Sequence, residues 1–300
     1  VKEIDTRDAY GIGGYAFSTS HSGIVKWNRA FSLLLALGSV ALTYFITFRL
    51  TFSKSSAWIA SLLVAVSPAL IKEGVKISVD PPTMFFALLA VMLSLKWLHN
   101  LSLTKITTIG LVSGLTISCK YNAAPILAVP ILTCLVGNQK SFAFLSLAFL
   151  STILGFLIGT PYSVVSLPLF LDHIAFEIWH YGISGHEGHM AKPGIEQVIH
   201  YGKFLLTDGL GLLGGTIGAI TLTWFGLKRR SECILLSVFP ILYFLLMIDQ
   251  KANFTRNMLL VIPFLSVGVG IFLNYLNTNK LKGTLLFSLI PILILIEPSI

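Results

Sequence analysis

Apolar residues along this chain come in long runs, and polar ones come in short bursts between them. Ten runs stand out, at 30–48, 57–71, 83–98, 103–119, 122–137, 142–160, 204–226, 232–248, 257–276 and 283–297. None alternates with the period of two that marks a half-buried strand. A perpendicular membrane-spanning helix needs about 20 apolar residues, so the pattern predicts an all-α, polytopic transmembrane helical bundle of about ten spans. The shorter runs are expected to begin inside their flanking loops or to line a cavity that dips into the bilayer. The one long interruption, 161–203, is read as an outer loop within a single domain covering 1–300. Residues 168–180 of that loop predict an amphipathic helix lying in the interface, with Phe170, Ile174 and Ile178 on one face and Trp179 and Tyr181 at the water boundary.

Composition sharpens this picture. Hydrophobic residues make up 55% of the 300, charged residues only 11%, and the mean hydropathy is +0.83; a soluble domain carries roughly 25% charged residues. The net charge of +8 is scattered over short loops, which marks membrane topology and excludes a nucleic-acid surface. With the N-terminal segment placed outside, the inner loops hold Arg49, Lys54, Lys96, Lys105, Lys140, Lys228, Arg229, Arg230, Lys280 and Lys282, with Glu232 their only acid. The outer side holds every other acid. Lys and Arg nearly tie between the sides, so the segregation of acids sets the orientation, and a plasma-membrane protein with its active face outward is expected. Cys119, Cys134 and Cys233 lie in or beside apolar runs and read as small core residues. Position 1 is Val, so an N-terminal piece is expected to be missing, and no signal peptide is visible.

The candidate chemistry sits at the outer ends of the runs. In GVKISVDPPTMFF, 74–86, Pro81 and Pro82 suit a first helical turn and Asp80 its N-cap. A carboxylate held at the membrane surface is equally placed to act as ligand or base. Lys120, in SCKYNAAP with Tyr121 beside it, lies between two short runs. It reads either as a cation snorkelling to lipid phosphate or as part of a phosphate pocket. Arg29, Lys76, Lys251 and Arg256 recur at the same depth. His173, Glu177 and His180 fall at i, i+4 and i+7, a spacing that suits a metal. The polar face of a surface helix accounts for them more simply, and HEGH at 186–189 lacks helical metal-binding geometry. No metal or other cofactor is expected; His180, His186, Glu187 and His189 are read as residues on the acceptor or sugar side. Asn253 begins an Asn-Phe-Thr glycosylation sequon.

The order of these segments resembles the GT-C glycosyltransferases that use polyprenyl-phosphate sugars, in the branch of the protein O-mannosyltransferases, aminoarabinose transferases and Rgt-type enzymes. WNRAFSLLLALGSVALTYFITFRL resembles the family's Arg-led second span. SVDPPTMFFALLAVMLSL resembles its segment of Asp, Pro and an aromatic-rich span. GLTISCKYNAAPILAVPIL resembles the Gly-rich helix ending in a Lys-bearing tip, and FTRNMLLVIPFL the late Arg-led span. The loop GTPYSVVSLPLFLDHIAFEIWHYGISGHEGH also looks like the family's. The resemblance implies a membrane hexosyl or pentosyl transferase. A sugar would move from a polyprenyl-phosphate donor to a hydroxyl of a protein, lipid or glycan acceptor, by inverting displacement at the outer face. Arg29, Lys76, Lys120, Tyr121 and Arg256 would bind donor and phosphate, and an Asp or Glu would act as base. The family's principal carboxylates form an adjacent pair after its first span; here that span is absent, and Asp5 and Asp8 stand unpaired. The base is therefore Asp5, Asp8 or Asp80, or is expected upstream. The alternative is a transporter or flippase of a lipid-linked or anionic solute, with Lys120 and Arg256 as clamps.

Overall fold

A computed structural model describes residues 22–227 and 231–278. Among these the fold is helical, without strands beyond two isolated bridges. The tenth apolar run, 283–297, and Lys228-Arg229-Arg230 lie outside the described residues.

The helices are α1 (Ser22–Thr51), α2 (Lys54–Val66), α3 (Pro68–Gly74), α4 (Asp80–Trp97), α5 (Leu103–Cys119), α6 (Ala128–Val136), α7 (Phe142–Gly159), α8 (Tyr162–Val165), α9 (Leu167–Trp179), α10 (Ile195–Phe204), α11 (Gly211–Leu227), α12 (Ser231–Ile248) and α13 (Ile262–Thr278). Three are long and apolar enough to cross a bilayer alone: α1, from Val25 on, α7 and α12. Helices α2 and α3 together reach that length and apolarity as a broken span or a re-entrant loop, bent by 60° at a break where Pro68 cannot continue the backbone ladder. The other apolar helices are shorter, and 3₁₀ turns at Tyr121–Leu127 and Thr255–Leu260 stand where the fifth and ninth predicted runs begin. These tight turns lie where the chain folds around a cleft, so the irregular backbone borders a cavity. The seventh run likewise resolves into α10, a π-helical turn at Leu205–Gly209, and α11.

Buried hydroxyls and small residues set the packing. In α1, Ser39, Thr43 and Thr47 donate to the carbonyls of Leu35, Ser39 and Thr43, at 2.8–3.0 Å, so a buried polar row needs no outside partner. Between α5 and α7 the backbones nearly touch. A Cβ on Gly114 would strike the Thr152 carbonyl, and one on Gly155 the Leu111 carbonyl. Such small-residue contacts let helices approach in lipid, where no hydrophobic drive brings them together. Leu88, Val91 and Leu95 of α4, Phe239 and Tyr243 of α12, and Phe264 of α13 form the centre of the core.

The chain's two ends differ. At one, Ser53, Ser102 and Ser141 cap α2, α5 and α7. There Arg49 donates to the Leu95 and Lys96 carbonyls at the C-terminus of α4, and His99 meets Glu232 at 3.1 Å. At the other end lie the α3–α4 connection, Lys120, the long 160–210 segment and the 249–260 connection. The interfacial helix predicted at 168–180 is α9, which continues into a π-helical turn at His180–Ser184.

Candidate functional site: a cleft with a buried ammonium

At this second end the helix tips surround a cleft of about 1450 Å³. Its walls are the α3–α4 connection (Glu73, Lys76, Ser78), the end of α5 with Lys120 and Tyr121, one face of α9 (Phe170, Ile174, Glu177), Tyr181, His189, the end of α12 and Arg256. The apolar face of α9 therefore turns to the cleft at Phe170 and Ile174. Tyr121, Phe156 and Phe170 form a triangle of rings with centroids 6.0–6.1 Å apart, which ties α9 to α7 and the 3₁₀ turn.

The floor is an ion pair. Lys120 Nζ donates to Asp80 Oδ1 at 2.7 Å and to Asn257 Oδ1 at 2.8 Å; the Asp80 and Lys120 side chains are 2% and 10% exposed. Ser78 Oγ donates to Asp80 Oδ2 at 2.9 Å. Asp80 is not the N-cap that its sequence context predicted. It is the first residue of α4, and no side chain caps that helix. The reason is local: Pro81 and Pro82 have no N–H to offer a cap, and the Thr83 N–H bonds the Val79 carbonyl. The carboxylate turns instead to the ammonium. Burial lowers the pKa of Lys120 below the usual lysine value, and the Asp80 carboxylate opposes that shift. Arg256 lies within electrostatic reach of Lys120, and its guanidinium stands 5.1 Å from the centre of the Phe254 ring.

The long loop is pinned over the cleft by backbone contacts. Lys251 N and Ala252 N donate to the Tyr181 carbonyl, Asn253 N to that of His189, and Ala191 N to that of Lys251. Gln197 Nε2 donates to the Gln250 and Lys251 carbonyls. HEGH closes a turn through His189 N and the His186 carbonyl, with Gly188 at φ +76°. The His186 and His189 rings lie 4.9 and 5.1 Å from Phe254, and His180 lies 5.3 Å from His186. Burial raises the pKa of Tyr181, beside Arg256 and Glu177.

The sequence-predicted residues thus divide. Asp80, Lys120, Tyr121, Lys76, Arg256 and His189 gather at one cleft. Lys76 is paired with Glu73 at 2.6 Å. His180 and His186 stand behind His189, and Glu187 is exposed at the tip of the turn. Arg29 is exposed on α1 and does not line the cleft. Asp5 and Asp8 lie outside the described residues. His173, Glu177 and His180 do not converge: among the described residues no group of three or more His, Cys, Asp or Glu has metal-holding geometry. Asn253 is only 6% exposed, so the folded chain does not present the sequon. Asn257, Glu73 and Ser78 were missed. Only Asn257 left a signal, as an amide inside the ninth apolar run directly after Arg256.

This architecture is that of a GT-C membrane glycosyltransferase. A solved structure of ArnT from Cupriavidus metallidurans bound to undecaprenyl phosphate superposes with a TM-score of 0.62 at 15% identity, over 90% of this chain and 49% of that one. The archaeal oligosaccharyltransferase AglB from Archaeoglobus fulgidus, in complex with an inhibitory peptide and a dolichol-phosphate, superposes with a TM-score of 0.57 at 15% identity, over 96% of this chain and 45% of that one. The chain thus spans about half the length of the solved structures it matches. No curated protein matches by sequence. The family model of the dolichyl-phosphate-mannose-protein mannosyltransferases matches residues 15–181, more than half of the chain and the part that carries Asp80 and Lys120. The chain belongs to that family, and it is an integral membrane protein.

Proposed function

We infer that the cleft binds a polyprenyl-phosphate sugar and that the protein transfers the sugar to an acceptor hydroxyl. The observation that carries this reading is the meeting of Lys120 and Arg256, far apart in sequence, at one cleft beside apolar and aromatic walls. A phosphate on a fatty carrier needs that combination: cations for the head, and Ile117, Phe156 and Leu171 for the first carbons of the tail. The structural neighbours' own complexes with undecaprenyl phosphate and dolichol-phosphate support it.

In this reading the acceptor oxygen forms a bond to the anomeric carbon while the bond from that carbon to the phosphate oxygen breaks, and configuration inverts. The electron pair leaves on the phosphate, where Lys120 and Arg256 offset the growing charge. The acceptor's proton passes to a carboxylate. Asp80 is committed to Lys120, so it serves as a positioning residue, and the base is proposed to be Asp5, Asp8 or a carboxylate upstream of them. Tyr121 and Lys76 line the donor side. His180, His186, Glu187 and His189 are proposed for the acceptor or sugar side, on the extracytoplasmic face of the plasma membrane. No cofactor is invoked. The transporter alternative has no observation in its favour, because the cleft's ionisable residues all come from the same ends of their helices.

The test is sugar transfer from a radiolabelled polyprenyl-phosphate mannose by the purified full-length protein. Lys120→Ala and Arg256→Ala should each raise the donor KM at least tenfold, about 1.4 kcal/mol per cation. Wild-type kinetics in both variants would remove the phosphate-clamp assignment.

A further inference from the structure

Lys120 is held by two acceptors of different charge, and the second has no role in the reading above. An ammonium has three N–H groups and no acceptor. Two are taken, by Asp80 Oδ1 and Asn257 Oδ1. Lys120 itself lines the cleft, which leaves the third N–H for whatever occupies it. Asn257 is fully buried, and its amide orientation follows from the lysine, since only oxygen can accept there. Its Nδ2 is left to face the Tyr181 and Tyr201 hydroxyls, which lie against the residue.

We propose that Asn257 is a positioning residue that fixes the Lys120 ammonium toward the cleft without placing a second carboxylate beside it, so that Lys120 and Arg256 face one phosphate group with no anion but Asp80 at the floor. The proposal rests on the lipid-phosphate reading and refines it. At the floor Asp80 and Lys120 sum to zero and Arg256 adds one positive charge; on the walls Glu73 is paired with Lys76, and Glu177 stands on α9. A second carboxylate in place of Asn257 would bring the group to zero and hold Lys120 as firmly, yet would repel the phosphate. A neutral acceptor orients without repelling. Burial, and to a smaller extent Arg256, lowers the pKa of Lys120, so an anion that met both cations would favour the charged ammonium.

The experiment measures binding of undecaprenyl monophosphate to the full-length protein in nanodiscs, together with thermal stability. Asn257→Asp should weaken binding by about tenfold or more at pH 7.5, with thermal stability equal to or above wild type, and affinity should recover as the pH is lowered and the new carboxyl is protonated. A contact that is only structural would move stability and binding together and show no such recovery; that result, or wild-type affinity, overturns the proposal. Should Asn257→Asp not fold, Asn257→Ala carries the test: the ammonium is then held by Asp80 alone, and affinity should fall roughly three- to tenfold, with unchanged affinity refuting the assignment. Lys120→Ala and Arg256→Ala separate the layers. If both bind the lipid phosphate like wild type, the clamp itself is wrong; if both lose binding while the Asn257 variants keep it, the clamp stands and the role of Asn257 falls.

Discussion

Replacing Asp80 with Ala removes the carboxylate from an ion pair whose members are 2% and 10% exposed. The loss is not that of a surface pair. Breaking a buried pair from one side leaves an uncompensated charge and costs about 3–5 kcal/mol. Here Asn257 still accepts from Lys120, and the cleft lets water or an anion reach it, so the lower end applies, about 3 kcal/mol. At roughly 2–4 °C per kcal/mol the unfolding midpoint should fall by about 6–12 °C. The assay is thermal unfolding of the purified protein in detergent, with and without a polyprenyl phosphate. A double variant, Asp80→Leu with Lys120→Met, removes both charges and fills the space, so stability should return close to wild type while transfer stays lost. Two results would refute the reasoning: Asp80→Ala unfolding at the wild-type temperature, or the double variant being as unstable as the single one. The first would mean the pair is not buried as described; the second that the loss came from packing and not from a stranded charge.

Three further outcomes follow from the same geometry. Because burial lowers the pKa of Lys120 and Asp80 opposes it, transfer should decline on the alkaline side before an ordinary lysine titrates. Asp80→Asn should shift that limb to still lower pH, since removing the carboxylate removes what favours the charged form; a limb that moves upward contradicts the pairing. Gly155→Leu should lower folded yield and cost 1 kcal/mol or more, on the order of overpacked cores, because its side chain would meet the Leu111 carbonyl across the α5–α7 contact. Glu232→Gln, in contrast, breaks a pair with His99 whose side chains are 39% and 73% exposed and should change stability by less than about 1 kcal/mol.

How far the sequence revealed this molecule depended on which interactions were local. Membrane helices announce themselves through composition, so α7 and α12 fall almost on their apolar runs, while α1 begins at Ser22, well before the run read at 30–48. The breaks were harder. Pro68 lies inside the run read as one span, 57–71, and the bend between α2 and α3 was not foreseen; the 3₁₀ turns at Tyr121–Leu127 and Thr255–Leu260 arise from the cleft they border and leave no periodic trace. The helix at 168–180 was legible because its apolar face repeats locally, and that face turns in part to the cleft, at Phe170 and Ile174. The Asp80 cap was misread for the opposite reason: the ammonium that captures the carboxylate comes from 40 positions away. Asn257 was invisible in the same sense, being an unremarkable amide until Lys120 is brought beside it.

Arg29 shows why depth along the membrane is not enough to define a site. It shares with Lys120 and Arg256 a position at the tip of an apolar run, and sequence alone gives the three equal standing. Their surroundings separate them. Arg29 is exposed on α1, where a guanidinium meets lipid headgroups or water at little cost. Lys120 has been drawn into the protein, and its desolvation is offset by only one carboxylate and one amide. A cation in that state gains more from an incoming phosphate than a solvated one does, because the phosphate replaces little water on the ammonium. In the proposed lipid-phosphate reading, the partly desolvated Lys120, with Arg256 beside it, is therefore what would favour an anionic head over the neutral ones that surround it in the bilayer.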